Sequence, residues 1–227
     1  MNNAVYYVLV IVAGYFCGCI ESGYLVGKLC GMDIRDYGSG NSGTTNVLRV
    51  LGKTRALLTF LGDALKSFIP VLVVKFLLCP AVPTLNADLI QLVTGFAAVM
   101  GHDYPVFLKF KGGKGIAATA GLLLSFDLRL TLVAAIVFLA VFFLTHYVSL
   151  GSLLVYVVFV AGIIIMGQNG QFTGMSQANI YEMYVLAILL AILAYYKHWP
   201  NILRLIHGNE NKTYLKKKKC FRSSTIC

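Results

Sequence analysis

Leu130-Thr-Leu-Val-Ala-Ala-Ile-Val-Phe-Leu-Ala-Val-Phe-Phe-Leu-Thr-His-Tyr147 runs through eighteen residues with no Asp, Glu, Lys or Arg. A helix needs about 20 mostly apolar residues to cross a hydrocarbon core about 30 Å thick, so this stretch reads as a membrane span. The same text recurs at Ala4–Tyr24, Ala56–Leu78, Leu89–Tyr104, Gly115–Phe126, Ser152–Met166 and Ile180–Tyr196. Composition agrees: 58% of the 227 residues are hydrophobic and 12% charged, against about 25% charged in soluble domains. A soluble enzyme, a disordered chain and a secreted disulfide scaffold are excluded. The expectation is an all-α integral membrane protein, a seven-transmembrane-helix bundle. Leu89–Tyr104, Gly115–Phe126 and Ser152–Met166 are short for a full crossing, which leaves five spans as the alternative.

The charges orient the bundle. The chain carries 19 Lys+Arg against 9 Asp+Glu, a formal +10. Sixteen of the basic residues fall between the first and second spans, between the third and fourth, and after the seventh; the alternate loops hold Arg129 alone, and Lys66 and Lys75 sit inside the second span. Basic residues mark the cytoplasmic side, so the expected N-terminus is outside and the C-terminus cytoplasmic, with the excess charge explained without nucleic acid. Met1–Val5 has no basic run, so the first span reads as a retained anchor. The six cysteines show no metal-binding spacing. One transmembrane domain over 1–210 is expected, followed by a basic, disordered cytoplasmic tail over 211–227, whose Lys216–Lys219 run would touch anionic lipid.

Three polar stretches interrupt the apolar text, all on the inferred cytoplasmic face. Gly38-Ser-Gly-Asn-Ser-Gly-Thr-Thr-Asn-Val-Leu-Arg49 has the Gly-x-Gly-x-x-Gly form with Asp63 twenty residues after Gly43. No strand precedes it and Asp63 lies in a span, so a dinucleotide site is rejected. Its glycines instead free several backbone N–H groups to meet one oxyanion, and Ser42, Thr44 and Thr45 are placed to cap a short helix. A solvated turn with a cap is the competing explanation. Gly101-His-Asp-Tyr-Pro-Val-Phe-Leu-Lys-Phe-Lys-Gly-Gly-Lys-Gly115 is not a P-loop, since Gly115 occupies the Ser/Thr place. Gly112, Gly113 and Lys114 before an apolar helix still suit an anion.

The third stretch, Lys197-His-Trp-Pro-Asn-Ile-Leu-Arg-Leu-Ile-His-Gly-Asn-Glu210, echoes the first. Asn46 and Arg49, like Asn201 and Arg204, are three residues apart on one helical face. An amphipathic interfacial helix accounts for the same pattern. Asp63 and Lys66 are spaced to form an ion pair, and Lys75 reads as snorkelling. Glu21 lies near the cytoplasmic end of the first span, open to a pairing or a catalytic role. Together these features suggest a phosphate-bearing substrate with a lipid part. A transporter or channel for an organic phosphate would need similar turns, although carriers place polar groups near mid-membrane.

The stretches 38–49, 101–115, Tyr147-Val-Ser-Leu-Gly-Ser152 and 198–210 resemble, in order, those of the bacterial acyl-phosphate:glycerol-3-phosphate acyltransferase family, over about Ala4–Glu210. The resemblance implies transfer of a fatty acyl group from acyl phosphate to the 1-hydroxyl of glycerol 3-phosphate, giving lysophosphatidic acid and phosphate. It implies a bacterial inner-membrane, multi-pass location with the site on the cytoplasmic face, no cofactor or metal, and a possible partner in the enzyme that makes acyl phosphate. By motif match, Ser39, Gly112 and Gly113 would hold the acyl-phosphate head, and Thr45, Arg49, Lys114, Ser149, His198 and Asn201 would line a joint site for both phosphates. Asn41, Asn46, Arg204 and Glu210 match positions of less defined role. Thr44, His146 and Trp199 depart from the family's usual alanine, arginine and arginine. The chain lacks the His-x-x-x-x-Asp of acyl-CoA-dependent acyltransferases and any discernible Ser/His/Asp triad. Direct attack by the glycerol hydroxyl, without an acyl-enzyme, is expected.

Overall fold

The computed structural model of the chain describes residues 3–214; the Lys216–Lys219 run lies outside them. Among the described residues the secondary structure is entirely helical. In chain order the helices are α1 (Asn3–Gly18), α2 (Ser22–Leu29), α3 (Thr44–Leu51), α4 (Lys53–Val73), α5 (Ala87–Asp103), α6 (Ile116–Phe126), α7 (Leu128–Thr145), α8 (Val148–Gln168), α9 (Gln177–Lys197) and α10 (Trp199–Ile206). Helix α4 continues through a π-helical stretch, Val74–Leu78, and a last turn, Cys79–Ala81.

Each of the seven apolar stretches is helical, and among the described residues five helices are long and apolar enough to cross a membrane: Asn3–Leu29, Lys53–Ala81, Leu128–Thr145, Val148–Gln168 and Gln177–Lys197. Helices α5 and α6 are shorter, with 17 and 11 residues. The first span is not continuous to Tyr24, because the helix breaks after Gly18 and resumes at Ser22. That break turns Glu21 inward, where it is 3% exposed.

The apolar pattern is inside out relative to a soluble protein. Val8, Val12 and Phe16 of α1, Leu58, Leu65 and Ile69 of α4, and Leu132, Ile136 and Leu144 of α7 face outward. Lipid is as apolar as these side chains, so they gain little by leaving it, and helix pairing depends on close packing. Gly14 and Gly18 supply it between α1 and α5: a Cβ on Gly18 would stand 2.0 Å from Ala98 O. Gly121 of α6 likewise lies against α4, where its Cβ would stand 2.0 Å from Ala64 O. Tyr156, Phe159 and Ile163 of α8 and Met183 and Leu190 of α9 fill the interior. Lys75 donates to Ser125 O at 3.1 Å and Phe126 O at 3.3 Å, capping the C-terminus of α6.

Candidate active site

The first polar loop is shaped by one buried amide. Asn46 Nδ2 donates to Tyr37 O and Asn41 O, both at 2.9 Å, and to Ile34 O at 3.1 Å, while its Oδ1 accepts from the Ser39 backbone N–H at 2.8 Å. Gly38 and Gly40 take the positive φ values, 62° and 71°, that the bend requires. Asn41 Oδ1 accepts from Gly43 N–H at 2.8 Å. The expected side-chain cap of α3 is not made: Gly43 is the N-cap residue, and the Ser42 hydroxyl turns inward to Glu21 Oε2 at 2.6 Å. The buried carboxylate draws that hydroxyl away from the helix end.

Beneath this loop lies a buried quartet. Lys66 Nζ is 3.0 Å from Glu21 Oε1, 3.2 Å from Asp63 Oδ1 and 2.7 Å from His102 Nδ1. His102 Nδ1 is also 2.8 Å from Glu21 Oε1. The spacing of Asp63 and Lys66 announced their pair, and of the two roles open to Glu21 the structure shows the pairing one; His102 comes from another segment and carried no local signal. Glu21, Asp63 and His102 converge closely enough to hold a metal ion, but the Lys66 ammonium already occupies the place between their ligand atoms.

The second loop rests on the quartet through His102. Gly113 N–H donates to His102 O at 3.1 Å. A Cβ on Gly113 would meet His102 Nε2 at 2.0 Å, and one on Gly112 would meet His102 O at 2.0 Å. These glycines let the turn lie flat on the histidine and carry Lys114 forward at the start of α6.

Lys114 donates to Asn201 Oδ1. Asn201 Nδ2 donates to Glu210 Oε1 at 2.8 Å, Ser149 Oγ to the same oxygen at 3.2 Å, and Arg204 Nε to Glu210 Oε2 at 2.7 Å. Burial, with Arg204 and Arg49 nearby, pushes the Lys114 ammonium down to about 8. At the end of α9, His198 Nδ1 lies 2.8 Å from Ala194 O. A carbonyl only accepts, so Nδ1 carries the proton and Nε2 is the acceptor. Burial and then Lys114 push this imidazole down to about 4.

A cavity of about 710 Å³ joins these groups. From the first loop and α3 it is lined by Ser39, Asn41, Thr45, Asn46 and Arg49, and from later segments by Lys114, Ser149, His198, Asn201 and Arg204. Gly112 and Gly113 do not line it; they support Lys114 from behind. Phe138, Leu139, Phe142 and Phe143 of α7 make an apolar wall. Helix α10 sets Asn201 and Arg204 toward the cavity and leaves Trp199 and Ile206 exposed at 57% and 73%. Asn211 and Thr213, read from sequence as the start of the tail, also line it, although no motif marked them.

A bundle with an apolar exterior, and a cavity cationic at one end and apolar along one wall, defines a membrane protein that handles anionic, lipid-like molecules. A family model described as glycerol-3-phosphate acyltransferase matches residues 8–208. The chain belongs to this family, and it is an integral-membrane acyltransferase. It is 40% identical over 208 residues to a glycerol-3-phosphate acyltransferase of Thermoanaerobacter sp. (strain X514), covering 91% of this chain and 96% of that one. It is 38% identical over 223 residues to one from Clostridioides difficile (strain 630), covering 93% and 98%. A crystal structure of PlsY, an integral membrane glycerol 3-phosphate acyltransferase, in its glycerol 3-phosphate form superposes with a TM-score of 0.77 at 33% identity, covering 92% of this chain and 96% of that one. The lysophosphatidic acid form of PlsY gives 0.75 at 32% identity, with the same coverage.

Proposed function

We propose that this chain transfers a fatty acyl group from acyl phosphate to the sn-1 hydroxyl of glycerol 3-phosphate, releasing 1-acyl-glycerol 3-phosphate and inorganic phosphate in phospholipid synthesis. The observation that carries this reading is one cavity with two kinds of wall. Lys114 and Arg49, for which no carboxylate lies within ion-pair distance among the described residues, share it with the aromatic wall of α7. Two phosphates meeting in one pocket need such charges, and an acyl chain needs the apolar wall. The PlsY structures in their glycerol 3-phosphate and lysophosphatidic acid forms support the acceptor and the product.

Acyl phosphate is an activated anhydride with a good leaving group, so the glycerol hydroxyl attacks the acyl carbon directly and no acyl-enzyme forms. Lys114 and Arg49 offset the developing charge; Ser39, Thr45, Ser149 and Asn201 fix the phosphates in line. The hydroxyl proton passes to a donor phosphate oxygen or to His198 Nε2. The charge pattern supports seven spans with the N-terminus outside, and a site at the cytoplasmic face of the bacterial inner membrane. Residues 1–210, together with Asn211 and Thr213 at the cavity, then form the catalytic domain, which takes its donor from an acyl-phosphate-producing enzyme.

The test is phosphate release by purified, detergent-solubilised protein given acyl phosphate with and without glycerol 3-phosphate, with acyl-CoA as the control donor. Acceptor-dependent release with acyl phosphate is expected. Release that ignores glycerol 3-phosphate, or product made only from acyl-CoA, refutes the assignment, and a trapped acyl-protein refutes direct attack.

A further inference from the structure

Arg204 and Arg49 both face the cavity, but they are held differently. Arg204 is answered by a carboxylate, Glu210, at 2.7 Å. Among the described residues Arg49 has no carboxylate within ion-pair distance. Its guanidinium donates instead to two neutral acceptors, Thr213 Oγ1 at 3.2 Å and Asn211 O at 3.4 Å. Both acceptors lie beyond residues 8–208, the reach of the family match.

The segment that supplies them is fastened at several points. Thr213 is 4% exposed, and its N–H donates to His146 O at 2.9 Å. His146 adopts a left-handed conformation, φ 62°, at the end of α7. The Tyr214 ring lies 4.7 Å from the His146 ring, and Lys212 Nζ lies 5.5 Å from the centroid of the Tyr147 ring. An arginine with a long side chain and a single charge gains aim when neutral oxygens hold it, and keeps that charge for an incoming anion.

We propose that Thr213 is a positioning residue that holds Arg49 over the cavity for a substrate phosphate without neutralising it. Asn211–Tyr214 is therefore a strap belonging to the site. It replaces the orienting carboxylate that would compete with phosphate for the same guanidinium. This inference rests on the reading of the cavity as a site for two phosphates.

The experiment varies acyl phosphate and glycerol 3-phosphate separately with the full-length chain and with Thr213→Val, Thr213→Ala and Thr213→Ser. Thr213→Val and Thr213→Ala both remove the acceptor; should one fail to fold, the other carries the test. The expected result is a KM for at least one phosphate substrate raised roughly tenfold, the scale of a single hydrogen bond to a charged group, with any fall in kcat smaller than that rise. Thr213→Ser, which keeps the oxygen, should restore KM. Unchanged KM values in the Val and Ala variants, a lowered KM, or a loss confined to kcat would overturn the proposal. An unmodified protein that fails to turn over acyl phosphate refutes the assigned reaction instead, so the two failures are distinguishable.

Discussion

The Asn201 side chain bridges opposite charges: its Nδ2 donates to Glu210 Oε1 at 2.8 Å while its Oδ1 accepts from Lys114. The amide orients the lysine without cancelling it, which a carboxylate at the same place would do. Asn201→Asp should therefore lower kcat/KM by at least about 100-fold, the scale of losing one group that stabilises transition-state charge, and more than Asn201→Ala does. The check is steady-state kinetics on both variants. Activity within tenfold of the unmodified protein in the Asp variant would show that Lys114 need not remain free.

Lys114 also sets an alkaline limit. Its ammonium is pushed down to about 8 by burial and then by Arg204 and Arg49, so in the free enzyme it loses its proton as the pH rises through that value. A neutral amine no longer attracts phosphate. Because kcat/KM follows ionisations of the free enzyme, it should fall about tenfold per unit above roughly pH 8. Lys114→Arg keeps its charge through that range, and its profile should stay flat to higher pH whatever its absolute rate. Identical limbs in the two proteins would assign the ionisation elsewhere.

His198 makes an acid-side prediction of opposite sense. Burial and Lys114 hold its imidazole down to about 4, whereas an unfolded histidine titrates near 6.5. A base with a lowered folded value favours folding while neutral. Its contribution is therefore present above about pH 6.5 and is lost as the pH falls toward 4. Thermal midpoints in detergent should decline across that window, and His198→Asn, which cannot take up the proton, should show a shallower decline. Parallel curves would mean that this histidine is not the group responsible.

How far these features were legible in the chain depends on their range. The apolar runs and Asp63–Lys66 are local patterns, read directly from spacing. The break after Gly18, the inward Ser42 and the capping role of Lys75 depend on partners forty or more residues away or, for Ser42, on the buried Glu21 across a loop. The glycines of the second loop were visible, but their work was not: whether Gly113 faces a ligand or a histidine is set by α5, and the fold puts His102 there. Thr213 was the least legible, because a lone threonine ahead of a lysine run has no pattern until its contact with Arg49 is seen.

The buried quartet gives the last prediction. Lys66 is the cation shared by Glu21 and Asp63, with side chains 4%, 1% and 1% exposed. Lys66→Met keeps the apolar stem but leaves two carboxylates beneath the cavity with the single imidazole of His102 beside them. Breaking a buried pair by removing one partner costs about 3–5 kcal/mol, because a charge remains uncompensated, while replacing the whole set by neutral groups is often tolerated. Lys66→Met alone should thus lower the unfolding midpoint sharply, or prevent accumulation of folded protein. The triple change Lys66→Met, Glu21→Gln, Asp63→Asn should recover most of the loss, because the two new amides still offer oxygens where the carboxylates now accept from the Ser42 hydroxyl and the Ser22 N–H. Intrinsic fluorescence on heating, with all proteins in the same detergent, separates the cases. A single variant as stable as the unmodified chain would mean that the carboxylates do not need the lysine, and a triple variant no better than the single would mean that charge is not the cause.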